Sequence, residues 1–302
     1  VTRVVRFGVI GCGLMGREFA SSAARWLHLE DTRARPEIVA VCDLNPALTD
    51  WFSANVPSVA QITPDYRALL ANDDVEAVYC AVPHNLHHDI YPDILAAGKH
   101  LLGEKPFGID AAANARIMSA IDAHPECLVR CSSELPYYPG AQRVVDFVRA
   151  GHLGEIIEVE AAFLHSSDLN PDKPINWKRM VDVNGAYGCM GRVLGTRGSA
   201  FFSTKNPRQW RYMHYDGGPQ AWRVEDLGFQ TLFPAITGGI FEFGFPDALQ
   251  QMWAAFLDEL AGGDANGFPC VTPAETADQH AILTAALAAG TTNTVQTVTY
   301  SP

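Results

Sequence analysis

The sequence has no long apolar run, no basic cluster, no C-x-x-C pair, no internal repeat and no low-complexity tract. Each absence removes a class of function. No stretch approaches the roughly 20 apolar residues of a membrane span. Lys and Arg number 22 against 34 Asp and Glu, for a net charge of −12. An acidic chain without a basic patch is a poor partner for nucleic acid or an anionic membrane surface. The 7 cysteines are scattered. Their odd number and spacing fit neither a disulfide framework nor a zinc motif and point to a reducing, cytoplasmic setting. The first apolar run leads straight into a glycine turn, so no secretory leader is expected.

What is present is 302 residues, enough for about two domains with buried cores. Strand-like runs at Val4–Ile10, Ile38–Cys42, Val75–Val82, His100–Gly103 and Cys127–Cys131 alternate with helical stretches at Pro46–Ala54, Asp65–Ala71, Leu86–Ala97 and Ala111–Ala123. Most of the strands are Val-rich and apolar on both faces, as in a parallel sheet. The alternation predicts a doubly wound α/β domain. After Cys131 the order changes. Ala141–Ala150 reads as a helix ended by Gly151. Glu155–Phe163, Ser199–Ser203 and Trp210–Tyr215 read as strands. Leu249, Met252, Trp253, Phe256, Leu257 and Leu260 recur at helical spacing as a packing stripe. Thr272-Pro273-Ala274-Glu275 is a capping box that opens a final helix reaching about Ala289. This second part reads as an α+β domain.

The chemistry concentrates at strand ends. Gly11-x-Gly13-x-x-Gly16 follows the first strand and leads into a helix-like stretch, Arg17 to Trp26. In that context Gly11 permits a tight turn, Gly13 clears the approach of a phosphate, and Gly16 lets helix and strand pack closely. A pyrophosphate then rests on the amides of the helix N-terminus. Asp43 ends the second strand. A carboxylate there accepts the adenosine ribose hydroxyls and repels a 2′-phosphate, favouring NAD over NADP; an Asp that caps the next helix is the alternative. Val82-Pro83-His84-Asn85-Leu86-His87-His88 lies at the ligand edge of another strand. His84 and His88 have helical zinc spacing, but no third ligand is evident and no metal site is expected. Glu104-Lys105-Pro106 ends the next strand. A lysine there can relay the proton that leaves an alcohol as its hydride moves to nicotinamide.

Taken together, these segments resemble the glucose–fructose oxidoreductase, inositol dehydrogenase and rhizopine catabolism family (Gfo/Idh/MocA). The likeness is carried by Gly8–Gly16, Asp43, Val82-Pro83-x-x-x-His87 and Ala96-Ala97-Gly98-Lys99-His100-x-x-x-Glu104-Lys105-Pro106. Gly151-x-x-Gly154-Glu155-Ile156, Asn176-Trp177-Lys178, Gly195-Thr196-x-Gly198-Ser199 and Phe256-Leu257-Asp258 add to it. The resemblance implies a Rossmann domain, placed at residues 1–126. It also implies a substrate-binding and oligomerisation domain at 127–302, with an open, mostly antiparallel sheet that builds a homodimer or homotetramer. It implies NAD(P)-dependent transfer of a hydride at one hydroxyl of a sugar, inositol or related polyol. Lys105 is then the catalytic residue, its peptide bond to Pro106 expected cis. Gly11, Gly13, Leu14, Met15, Asp43, Val82, Pro83, His87, Glu104, Lys105 and Glu134 line the cofactor. Trp177 and Lys178, with Lys105, meet the substrate.

One stretch departs from the pattern. The family follows its Trp segment with glycines, an Asp and, four residues on, a His. Here Asn184–Gly191 supplies the glycines, Arg192 stands where the Asp is expected, and Val193-Leu194-Gly195-Thr196 follows directly. Strands of the second sheet are therefore expected to be missing between Gly191 and Val193. The exposed interior edges this implies favour a segment absent from this sequence over a polypeptide that truly lacks it. Two other functions stay open: a redox-neutral glycosidase or lyase that recycles its hydride on NAD, and a cofactor-binding sensor without catalysis.

Overall fold

Alternating side chains on the first strands bury both faces of one sheet. On β1 (Arg3–Ile10), Val5, Phe7 and Val9 enter one core and Ile10 enters another; on β4 (Ala77–Cys80), Ala77 and Tyr79 oppose Val78 and Cys80 in the same way. The computed structural model describes residues 2–162, 190–237, 243–298 and 300. β1 and β4 pair in parallel with each other and with β2 (Ala34–Cys42) and β5 (His100–Glu104). β3 (Gln61–Thr63) and β6 (Val129–Ser132) close the edges, in the order β3-β2-β1-β4-β5-β6. The sheet therefore extends past residue 126, where the sequence reading places the domain boundary. The connecting helices are α1 (Leu14–Ala24), α2 (Pro46–Asn55), α3 (Tyr66–Leu70), α4 (His87–Ala96) and α5 (Ala111–Ala123).

The second unit begins with α6 (Pro139–Arg149), which Gly151 ends in the left-handed conformation at φ 70°. α6 covers one face of a five-stranded antiparallel sheet, through Val144, Phe147 and Val148 against Ala200, Trp210 and Tyr212. Its strands are β7 (Ile156–Ala162), β8 (Met190–Gly195), β9 (Gly198–Ser203), β10 (Gln209–His214) and β11 (Arg223–Asp226), in the order β11-β10-β9-β8-β7.

The structure alters the expectation about Gly191–Val193. These residues are consecutive in β8, paired with β7 on one side and β9 on the other. The described sheet thus has no unpaired interior edge at that point. Arg192 lies in mid-strand, ion-paired across to Glu160. Trp177, Lys178 and the glycines of Asn184–Cys189 lie outside the described residues.

Two long helices return to the first sheet. In α7 (Phe245–Leu260) the stripe read from the sequence packs beside α1. Phe19 meets Trp253 at 5.1 Å between ring centroids, and Phe7 meets Phe256 at 6.3 Å. Each such fully buried large side chain contributes about 1.5–3 kcal/mol. α8 (Pro273–Thr292) packs against α5 and β6, three residues longer than expected.

Candidate active site at the strand ends

The sheet order reverses between β1 and β4, and the crevice beyond the strand C-termini at such a point is where open α/β sheets hold ligands. Five predicted residues or segments meet along this edge: the glycine turn after β1, Asp43 after β2, Val82-Pro83 after β4, Lys105 after β5 and Glu134 after β6.

Close approach of backbones shapes the glycine turn. Gly11 has φ +96°, and a Cβ on it would stand 2.5 Å from the carbonyl oxygen of Ala81. A Cβ on Gly16 would stand 2.3 Å from the carbonyl oxygen of Gly11. Gly13 is different: a Cβ there meets nothing within 4 Å, so it faces open space. Gly13 is also the N-cap of α1, and no side chain caps that helix. Its first-turn amides have no intrahelical partner. An uncapped helix start behind a cleared approach fits the pyrophosphate of a dinucleotide. Leu14 is exposed and Met15 half-buried at this start.

Asp43 does more than the sequence indicated. Its Oδ2 accepts the Cys12 amide at 2.8 Å and its Oδ1 accepts the Asn45 amide at 2.9 Å. It is not the cap of α2; Asn45 is, accepting from the Ala47 amide at 3.1 Å. The carboxylate therefore fixes the glycine turn, and its remaining lone pairs stay available for a ribose diol.

The Lys105–Pro106 bond is cis, and Lys105 itself is half-buried. The neighbouring Glu104 side chain turns into the core, where its Oε1 accepts the Tyr79 hydroxyl at 2.7 Å and the Ser132 hydroxyl at 2.8 Å. Burial raises the Glu104 pKa above its ordinary value, with the Lys105 charge opposing. Glu134 opens the short turn after β6, half-buried, and its charge acts on both Glu104 and Tyr79. His87 is fully buried, its ring nitrogens 2.8 Å from the Pro106 oxygen and 3.1 Å from the Val82 oxygen. Burial pushes its pKa down to about 4, so the ring is neutral and its single N–H donates to one of the two carbonyls. Glu104 and His87, both expected to line the cofactor, have their side chains buried at this edge. Sequence reasoning missed Tyr79, Tyr91 and Ser132, whose apolar surroundings disguised them as ordinary core. Among the described residues, no group of three or more His, Cys, Asp or Glu converges on a metal-sized site.

Residues 5–130 match the model of an oxidoreductase family with an NAD-binding Rossmann fold, Gfo/Idh/MocA. Those residues carry the NAD-binding Rossmann fold of this family. It is 34% identical over 189 residues to dTDP-3,4-didehydro-2,6-dideoxy-alpha-D-glucose 3-reductase of Saccharopolyspora spinosa, covering 61% of this chain and 53% of the relative. It is 29% identical over 174 residues to inositol 2-dehydrogenase of Pseudomonas fluorescens, covering 58% and 48%. The chain thus spans about half the length of these curated relatives. Among solved structures, levoglucosan dehydrogenase in complex with NADH superposes with a TM-score of 0.85 at 15% identity, over 99% of this chain and 100% of that one. That likeness shows the shared two-domain fold.

Proposed function

We propose that this chain is an NAD-dependent oxidoreductase of the Gfo/Idh/MocA family that transfers a hydride at one hydroxyl-bearing carbon of a sugar, inositol or related polyol. The observation that carries the reading is the convergence of the glycine turn, Asp43 and Lys105 on one edge of one sheet. The names of the relatives, a deoxysugar reductase and an inositol dehydrogenase, support the substrate class. The α1 amides and Gly13 would hold the pyrophosphate, and Asp43 the adenosine ribose. When bound, NAD supplies the acceptor for the two electrons of the C–H bond. Lys105, as its free amine, takes the hydroxyl proton while the C–O bond becomes a carbonyl; in reduction it returns that proton. Glu134 and the segment of Trp177 and Lys178 orient the polyol. Arg192 supplies no carboxylate where the family pattern has one, so Lys105 carries the acid–base work.

The same reading places the protein in the cytoplasm as a homo-oligomer. All 6 described cysteines are free and buried, which suits a reducing compartment. No described helix is long and apolar enough to cross a membrane. Ile157 and Val159 are exposed on edge strand β7, at 69% and 65%, which suits cover by a second copy.

The test is NADH formation from NAD with a panel of sugars and inositols, including myo-inositol and levoglucosan. Steady NADH release is expected with at least one member, and Lys105→Ala lowers kcat by about 100-fold or more. Release of a glycosidic substituent without NADH accumulation would point to the redox-neutral reaction. Undiminished turnover by Lys105→Ala would contradict the mechanism.

A further inference from the structure

Helix α4 grips the lysine-bearing segment from below. His87 and Tyr91 are one turn apart on it, fully buried, their rings stacked at 4.6 Å with planes 17° apart. The Tyr91 hydroxyl donates to the carbonyl of Glu104 at 2.8 Å. His87 Nδ1 stands 2.8 Å from the carbonyl of Pro106. These are the carbonyls of the residues immediately before and after Lys105. The Tyr91 ring also seats against Gly103, where a Cβ would lie 2.7 Å from it. His87 Nε2 lies 3.1 Å from the carbonyl of Val82 at the β4 end. From α5, Asn114 Nδ2 donates to the Phe107 carbonyl at 2.9 Å and continues the same line of anchors.

A buried carbonyl needs a donor, but a strand end with no further ladder partner offers several ways to supply one. Here both donors flanking Lys105 come from a single rigid helix, and their rings lock each other's rotamers by stacking. We infer that His87 and Tyr91 are positioning residues that hold the Lys105 backbone from both sides and so set where its amine stands. This inference rests on the role of Lys105 proposed above. In this role both act through Lys105. Small displacements of a reacting group are costly, about 100-fold in rate for a 1 Å shift.

Three variants separate this role from simple packing. Tyr91→Phe keeps the ring and its stack and removes the hydroxyl alone. His87→Leu removes both ring contacts, and His87→Gln restores a donor. Two readouts are taken on folded protein. The first is acetylation of Lys105 by acetic anhydride, read by peptide mass spectrometry against the exposed Lys205. The second is kcat and KM for the polyol that gives NADH, alongside NADH affinity by fluorescence. The expected result in Tyr91→Phe and His87→Leu is a Lys105 acetylation rate changed about threefold or more and kcat lowered about tenfold or more, with KM and NADH affinity near parent values. His87→Gln recovers part of both. Parent-like Lys105 acetylation in the folded variants overturns the inference, whether or not their melting temperature falls. The acetylation readout needs no turnover. If Lys105→Ala still oxidises the polyol, the proposed chemistry falls while the positioning of Lys105 is judged separately.

Discussion

Gly13 and Gly16 stand three residues apart and meet opposite demands. A methyl group on Gly13 points into open space, whereas one on Gly16 strikes the Gly11 carbonyl oxygen at 2.3 Å. Gly13→Ala therefore leaves the melting temperature within about 1 °C of the parent and weakens NADH binding about tenfold or more, roughly 1.4 kcal/mol. Gly16→Ala crowds the helix start against the strand and costs about 1–3 kcal/mol of stability. Paired thermal melts and NADH titrations check both; equal loss of binding at equal loss of stability would contradict the assignment. The motif was readable because its spacing is local. Asp43 was readable as a ligand-edge acid, but its grip on the Cys12 amide was not, because that contact spans 31 residues. His87 shows the same limit. Its position in the sequence placed it near the cofactor, and only the fold places both ring nitrogens against backbone carbonyls.

Among elements, period and punctuation carried far. The capping box formed as read: the Glu275 amide donates to Thr272 Oγ1 at 3.3 Å, and the Thr272 amide donates to Glu275 Oε2 at 2.8 Å. Thr272→Ala should lower stability by about 1 kcal/mol and speed amide exchange in the first turn of α8, with NADH affinity unchanged. Urea unfolding and hydrogen exchange measure it; unaltered exchange there would show the cap to be idle. The stripe on α7 was legible too, since five of its six members are almost fully buried and Leu260 packs partly against the same core. What the stripe faced was not legible. A periodic apolar face states that a helix packs, never against what, and α7 crosses back to the first sheet rather than joining the second. The expected exposed edge at Gly191–Val193 is not seen for a related reason. It was inferred from a family's strand count, while the pairing that governs an edge depends on β7 and β9, which flank it without a gap.

At the scale of the whole molecule, one parallel sheet gathers the chemistry at its C-terminal edge, and the return of α7 and α8 welds the distal part of the chain to that sheet's faces. The doubly wound half was legible almost completely, because its strands are short, apolar and regularly spaced by helices. The second sheet was less so, because its strands expose one face and their alternation is diluted by Glu158, Glu160, Arg192 and Arg211. The acidic net charge of −12 makes a dianionic coenzyme an unfavourable long-range partner, so its capture must come from local backbone dipoles. Calorimetric titration of NADH and NADPH into the folded chain tests that claim most directly. The account predicts NADH binding in the micromolar range, about −8 kcal/mol, with NADPH weaker by about tenfold or more because Asp43 opposes the 2′-phosphate. No heat and no rise in melting temperature with millimolar NADH, or tighter binding of NADPH, would contradict it.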